Sequence, residues 1–176
     1  MPLSRSKLQK AFYDSSSRTG LLTETFDKNA IADIPLAWAD VIGNYMTGLT
    51  TAALTTPERK TVIAATATAL LGMDVLPSTT EIFATRLTAG ITACVTSVAT
   101  LGTAHAIFVI VIPTTPLYPA ILAILKAQAA ASKVMPPGGE HAFLNAAAAA
   151  YASAINTWAR TGTWTNSSSG ATGSWV

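Results

Sequence analysis

The stretch LTAGITACVTSVATLGTAHAIFVIVIPTTPLYPAILAIL, running from Leu87 to Leu125, contains no Asp, Glu, Lys or Arg. A charge-free run of this length is either a membrane-spanning segment or the middle of a buried core, and the choice sets the fold class. A spanning helix needs about 20 consecutive, mainly apolar residues. Residues 87–105 are long enough, but they carry five threonines, one serine, two glycines and a histidine. The β-branched run Ala106–Ile112 (AIFVIVI) is too short, and Pro113, Pro116 and Pro119 separate it from the next apolar stretch. Neither side has the Lys/Arg-rich flank that orients a span. The stretch therefore reads as core: the end of one helix, a short extended segment near 106–112, and the start of another helix, although periodicity does not separate a buried strand from a buried helix at 106–112.

Working outward, Ser78 to Glu81 has the form of a capping box. Phe83, Leu87, Ile91, Cys94, Val98 and Leu101 then make one apolar stripe at helical spacing, closed by Gly102. Thr88, Thr92, Thr96 and Thr100 recur every four residues and form a hydroxyl row that drifts slowly around the same helix. Upstream, Thr56-Pro57-Glu58 supplies a hydroxyl cap, a proline at the first helical position and an acid near the positive helix end. That helix carries Val62, Ile63, Ala67 and Leu70 and stops at Gly72. Ile34, Trp38, Val41, Ile42, Tyr45 and Met46 mark another helix closed by Gly48. Pro35 is tolerated only in the first turn, which places the start near Asp33; a helix reaching back to Ile31 and kinked at the proline is the alternative. Leu3, Leu8, Ala11 and Phe12 predict a short helix over about 4–17, ended by Ser15–Ser17 and Gly20.

Downstream, the prolines reset the chain for a helix over about 117–132, and Pro136-Pro137-Gly138-Gly139 is a break. Glu140 opens an Ala-rich helix with Phe143, Leu144, Ala147, Tyr151, Ile155 and Trp158 on it, ending near Gly162. The last residues, 163–176, are uncharged and rich in Gly, Ser and Thr, with Trp164 and Trp175 set among small residues. They predict an extended or hairpin tail. The expected architecture is mainly α: a bundle of about six helices in one domain, 1–162, followed by the tail.

Two segments match each other. Trp38-Ala39-Asp40-Val41-Ile42-Gly43-Asn44-Tyr45 aligns with Tyr151-Ala152-Ser153-Ala154-Ile155-Asn156-Thr157-Trp158, and both lead to a Thr-Gly ending, Thr47-Gly48 and Thr161-Gly162. At the same offset Leu8–Phe12 falls on Ile121–Leu125. Two repeated helix pairs, 4–48 and 117–162, are one reading; shared Ala-rich composition is the other.

Hydrophobic residues make up 50% of the chain and charged residues 11%, against roughly 25% charged in a typical soluble domain. The resulting surface of Thr, Ser, Asn and Ala suits a subunit that buries faces against neighbours. A net charge of +2, with no basic cluster denser than Arg5, Lys7 and Lys10, argues against direct nucleic-acid binding. Cys94 is the single cysteine, so neither an intrachain disulfide nor a Cys-based metal cluster is expected. The opening residues lack the continuous apolar core of a secretory signal.

His105 and His141, the two histidines, stand in no metal-ligand or triad spacing, and the nine acids are scattered. No glycine pattern for phosphate binding occurs. The sequence therefore predicts no catalytic residue, no cofactor and no metal. Interface anchors are the remaining candidates, because Trp and Tyr dominate protein contacts: Trp164 and Trp175 first, then Trp158, Tyr45 and Trp38. For Trp38 and Tyr45, ordinary helix–helix core competes with that role.

The helix ILAILKAQAAAS, the break PPGG, the run AFLNAAAAAYASAINTWARTGTWTN and the Gly/Thr-rich end together resemble small virion proteins. Such proteins are encoded in the structural gene blocks of tailed bacteriophages, especially contractile-tailed ones and cyanophages. The segment SRSKLQKAFYDSSSRTG…NAIADIPLAWADVIGNYMTG is similar to their opening module. The resemblance covers residues 4–48 and 117–176, is compositional, and carries no functional residue with it. It implies a non-enzymatic structural subunit of a tail, baseplate or neck, present in several copies or as a homo-oligomer. Its partners would be other virion proteins, and its place would be the virion, assembled in the host bacterial cytoplasm. The competing expectation is a small membrane-associated protein, holin-like or an anchor, built on residues 87–125.

Overall fold

A computed structural model of the chain describes residues 5–18, 34–47, 54–71, 80–104, 108–113 and 115–174. Within them the elements follow as α1 (Arg5–Arg18), α2 (Ile34–Met46), α3 (Thr56–Leu70), α4 (Thr80–Ala104), β1 (Phe108–Val111), α5 (Tyr118–Ser132), α6 (Glu140–Ala159), β2 (Thr163–Asn166) and β3 (Thr172–Ser174). The architecture is a helical bundle with a small antiparallel sheet.

α4 is the element around which the others assemble. α3 lies along it, and α2, α5 and β1 also touch it. Its apolar stripe explains why. Ala84, Leu87, Ile91, Cys94, Val95 and Val98 are all fully buried, while Phe83 and Leu101 pack half-buried at the two ends. Each Leu, Ile or Val so placed contributes roughly 1.5–3 kcal/mol of burial free energy. The helix runs two residues past Gly102, where the sequence predicted its end. Glycine stops a helix when the chain turns left-handed there, but its flexibility permits that turn without compelling it.

α3 fits between α2 and α4 through two glycines. A Cβ on Gly43 of α2 would lie 2.7 Å from Ile63 Cγ1, and a Cβ on Gly90 of α4 would collide with Leu70 Cδ2. A helix-interior glycine costs about 0.5–1 kcal/mol relative to alanine; at these two positions it lets large α3 side chains sit against a neighbouring backbone. The start of α3 is one residue earlier than the sequence reading had it. Thr55 is the cap, with extended backbone (φ −63°, ψ 159°), and Thr56 is already helical. The Glu58 carboxylate accepts hydrogen bonds from the Thr55 N–H and hydroxyl, both at 2.7 Å. Pro57 is tolerated in the second helical position for the same reason as in the first: first-turn N–H groups have no intrahelical acceptor to lose. The residues expected to close or cap other helices (Gly20, Asp33, Gly48, Gly72 and Ser78) lie outside the described residues.

α1 rests on α6 and α2. It inserts Leu8 into the core and ties its polar side to α6 through Gln9–Asn145 (3.2 Å) and Tyr13–His141 (3.0 Å) hydrogen bonds. The aligned helices α2 and α6 bury corresponding positions: Trp38 and Tyr151, Ala39 and Ala152, Ile42 and Ile155, Tyr45 and Trp158. The threonine after each helix makes the same bond, its hydroxyl donating to the carbonyl three residues back, Thr47 to Asn44 and Thr161 to Trp158. Their surroundings differ. Gly43 receives Ile63 of α3, whereas Asn156 in the aligned place hydrogen-bonds across to Tyr45.

The extended segment predicted near 106–112 is β1, and the predicted tail hairpin is β2–β3. The two belong to one sheet of order β1-β2-β3. Phe108 pairs with Asn166 and Val111 with Thr163, while Thr163 pairs with Ser174 and Thr165 with Thr172. An isolated two-stranded hairpin is marginal in water, and β1 supplies the third strand. The β2–β3 turn closes on Asn166, whose Oδ1 accepts from the N–H groups of Ser168 (2.8 Å) and Ser169 (3.0 Å). Gly170 provides the left-handed step at φ 69°.

Candidate functional site

Three of the five predicted interface aromatics lie inside the subunit. Trp38 is 5% exposed and stands edge-on to two rings, Phe83 at 5.8 Å and Tyr151 at 5.3 Å between centroids. Tyr45 is 9% exposed, and its hydroxyl accepts a hydrogen bond of 3.0 Å from the Asn156 amide. Burial raises its phenol pKa above the ordinary value, only partly offset by that bond. Trp158 is 7% exposed, and its indole N–H donates to the Thr115 carbonyl at 2.9 Å. All three are core residues of the subunit, which for Trp38 and Tyr45 is the alternative the sequence left open: large rings bridge α2 to α6 and pin α6 to the loop before α5. Trp164 is half-buried against the core and spans its own hairpin. A Cβ on Gly173 would lie 2.6 Å from its ring, and its N–H donates to the Ser174 carbonyl at 3.1 Å. Trp175 lies outside the described residues.

The surface that the bundle leaves uncovered is elsewhere. α5 and α6 form an antiparallel pair joined by the Pro136–Gly139 turn, where Gly138 takes φ 79°. Between them runs an open groove of about 230 Å³, lined by Ile124, Ala127, Gln128 and Ala131 of α5 and by Phe143, Ala146, Ala147 and Ala150 of α6. Its walls are apolar except for Gln128. That side chain is fixed at one end, its Oε1 accepting from the Tyr151 hydroxyl at 2.9 Å, while its Nε2 is buried without a hydrogen-bond partner. Burial keeps the Tyr151 phenol protonated far above the usual range. No group lining the groove titrates near neutrality, so the groove offers contact area and no acid, base or nucleophile.

The sequence carries a signal for this surface that does not involve aromatic residues. Ile121, Leu122, Ile124 and Leu125 occupy more of the α5 circumference than one buried face can absorb. Of that helix Ile121 alone is fully buried, and Ala120, Ala123, Ala127, Ala130 and Ala131 are exposed. Val134, just beyond it, is 80% exposed. An ion pair between α5 and α4, Lys126–Glu81 at 3.4 Å, is exposed on both sides and adds little stability.

α4 is, among the described residues, the one helix long and apolar enough to cross a membrane, over Thr80–Leu101. Its apolar stripe faces the other helices. The outward positions are Glu81, Ile82, Thr85, Arg86, Ala89, Thr92, Thr96 and Thr100. The Thr85 and Thr100 hydroxyls are satisfied within the helix by carbonyls four residues back.

The other reactive side chains are accounted for by packing. Burial pushes the Cys94 thiol up to about 12. His141 is an exposed α1–α6 tie through Tyr13, and His105 lies outside the described residues. No cluster of His, Cys, Asp and Glu suited to a metal ion occurs among the described residues. No protein-family model, no curated protein and no solved structure matches the chain.

Proposed function

We propose that this chain is a non-enzymatic structural subunit that works by packing against neighbouring protein subunits, and that the assembly is a phage virion, in its tail, baseplate or neck. The observation that carries the packing role is the α5–α6 hairpin. It is almost free of charge and exposes alanine along both helices, and it keeps an apolar groove open to solvent. Exposed apolar surface of this kind is kept where another protein covers it. The virion assignment rests on the resemblance of residues 4–48 and 117–176 to small virion proteins.

In this reading the bundle is a rigid spacer. α4 and the aromatic seam between α2 and α6 fix its shape, and the α5–α6 surface makes the contacts. The test is co-expression with the products of the flanking genes, followed by size-exclusion chromatography with mass measurement. The wild-type chain is expected to co-elute with a partner or as a multimer. Ala127→Glu with Ala146→Glu, which places charges at the groove, is expected to keep the helical circular dichroism and to elute alone. Unchanged assembly by that double variant would remove the groove from the proposal. Flanking genes with no tail sheath, tube or baseplate product would remove the virion.

A membrane-associated subunit is the second reading, because α4 has the length and hydropathy of a span. The hydroxylated outer face of α4 speaks against a lipid-facing orientation, since a span buries its polar groups away from lipid. Recovery of the folded chain in detergent-free buffer separates the two readings.

A further inference from the structure

We draw no further inference here: the strongest candidate, the apolar groove between α5 and α6 with the alanine-lined face beside it, belongs to the surface already described, and nothing in the structure shows which chain or ligand covers it.

Discussion

Most of α4 and the first half of α5 come from the same uncharged stretch, Leu87–Leu125, yet they use its apolar residues differently. α4 is flanked by α2, α3, α5 and β1, and six of its side chains are removed from water altogether. α5 lies against α4 and α6 and fully buries Ile121, with Leu122, Ile124 and Leu125 half-covered. Missing charge is thus a statement about which surface is cheap to desolvate. It does not say whether the chain's own helices or another protein will cover it. Where four elements converge, the desolvation is internal; where the bundle ends, the same composition is left as outer surface.

That contrast can be broken experimentally at several positions. The largest effect is expected inside α4. Leu87→Ala opens a cavity at a site with no solvent access and is expected to lower unfolding free energy by about 2–5 kcal/mol. Ala127→Leu on exposed α5 is expected to stay within about 0.5 kcal/mol of wild type. Urea titrations of the two variants decide it, and comparable losses would mean that α5 is as well covered as α4.

Next comes the close approach of α3 to α4. Gly90→Ala gains helix propensity but drives a methyl group into Leu70. Overpacking of this kind costs about 1–3 kcal/mol, more than the roughly 1 kcal/mol that propensity returns. A net stabilisation on thermal unfolding would show that Leu70 can move aside. A loss of similar size, about 1–3 kcal/mol, is expected for Tyr45→Phe, which strands the Asn156 amide in a buried site. Tyr13→Phe, where the lost bond is exposed, is expected to cost less than about 0.5 kcal/mol.

The last effect belongs to pH. In the unfolded chain the Cys94 thiol ionises near roughly 8.5, and in the fold burial holds it up to about 12. The folded state therefore binds the extra proton at alkaline pH. Stability from this group is complete below the unfolded value and is lost as pH rises from there towards the folded one. Tyr45 and Tyr151 are shifted in the same direction and act at still higher pH. The urea midpoint is expected to be flat from pH 6 to 8 and to fall above pH 9, less steeply in Cys94→Ala. Alkylation of Cys94 at pH 8 should wait on unfolding; rapid labelling of the native chain would mean the α3–α4 contact opens readily.

How far the sequence reveals all this differs by element. The apolar stripes of α2, α3, α4 and α6 are legible because 3.6-residue periodicity reflects burial on one face, and Val62, Ile42, Leu87 and Ile155 lie where that spacing puts them. The stretch before Pro113 is legible as a short apolar piece, but a buried strand and a buried helix share that pattern, and the pairing of Phe108–Val111 with Thr163–Asn166 decides for strand. Terminal positions are less so. The cap falls on Thr55 although Thr56 has the same hydroxyl, and Gly102 continues a helix it had the freedom to end. Aromatic residues are ambiguous in the sequence for a physical reason. Trp and Tyr are favoured at interfaces and cores alike, since both reward a large apolar surface with a polar edge, and the sequence does not distinguish the neighbours.

By itself, then, the sequence determined the helical class, the placement of most elements, and the inventory: a charge-poor chain with two histidines, one cysteine and scattered acids. Those properties follow from local periodicity and composition. Tertiary structure alone decided that 108–111 pairs with 163–166, that Gly43 and Gly90 are the seats for Ile63 and Leu70, that Trp38, Tyr45 and Trp158 face inward, and that α5 is left half-covered. Each of these depends on which distant segment arrives beside a residue. An amphipathic pattern sets the face that must be covered, but its partner is chosen by the packing of the whole chain.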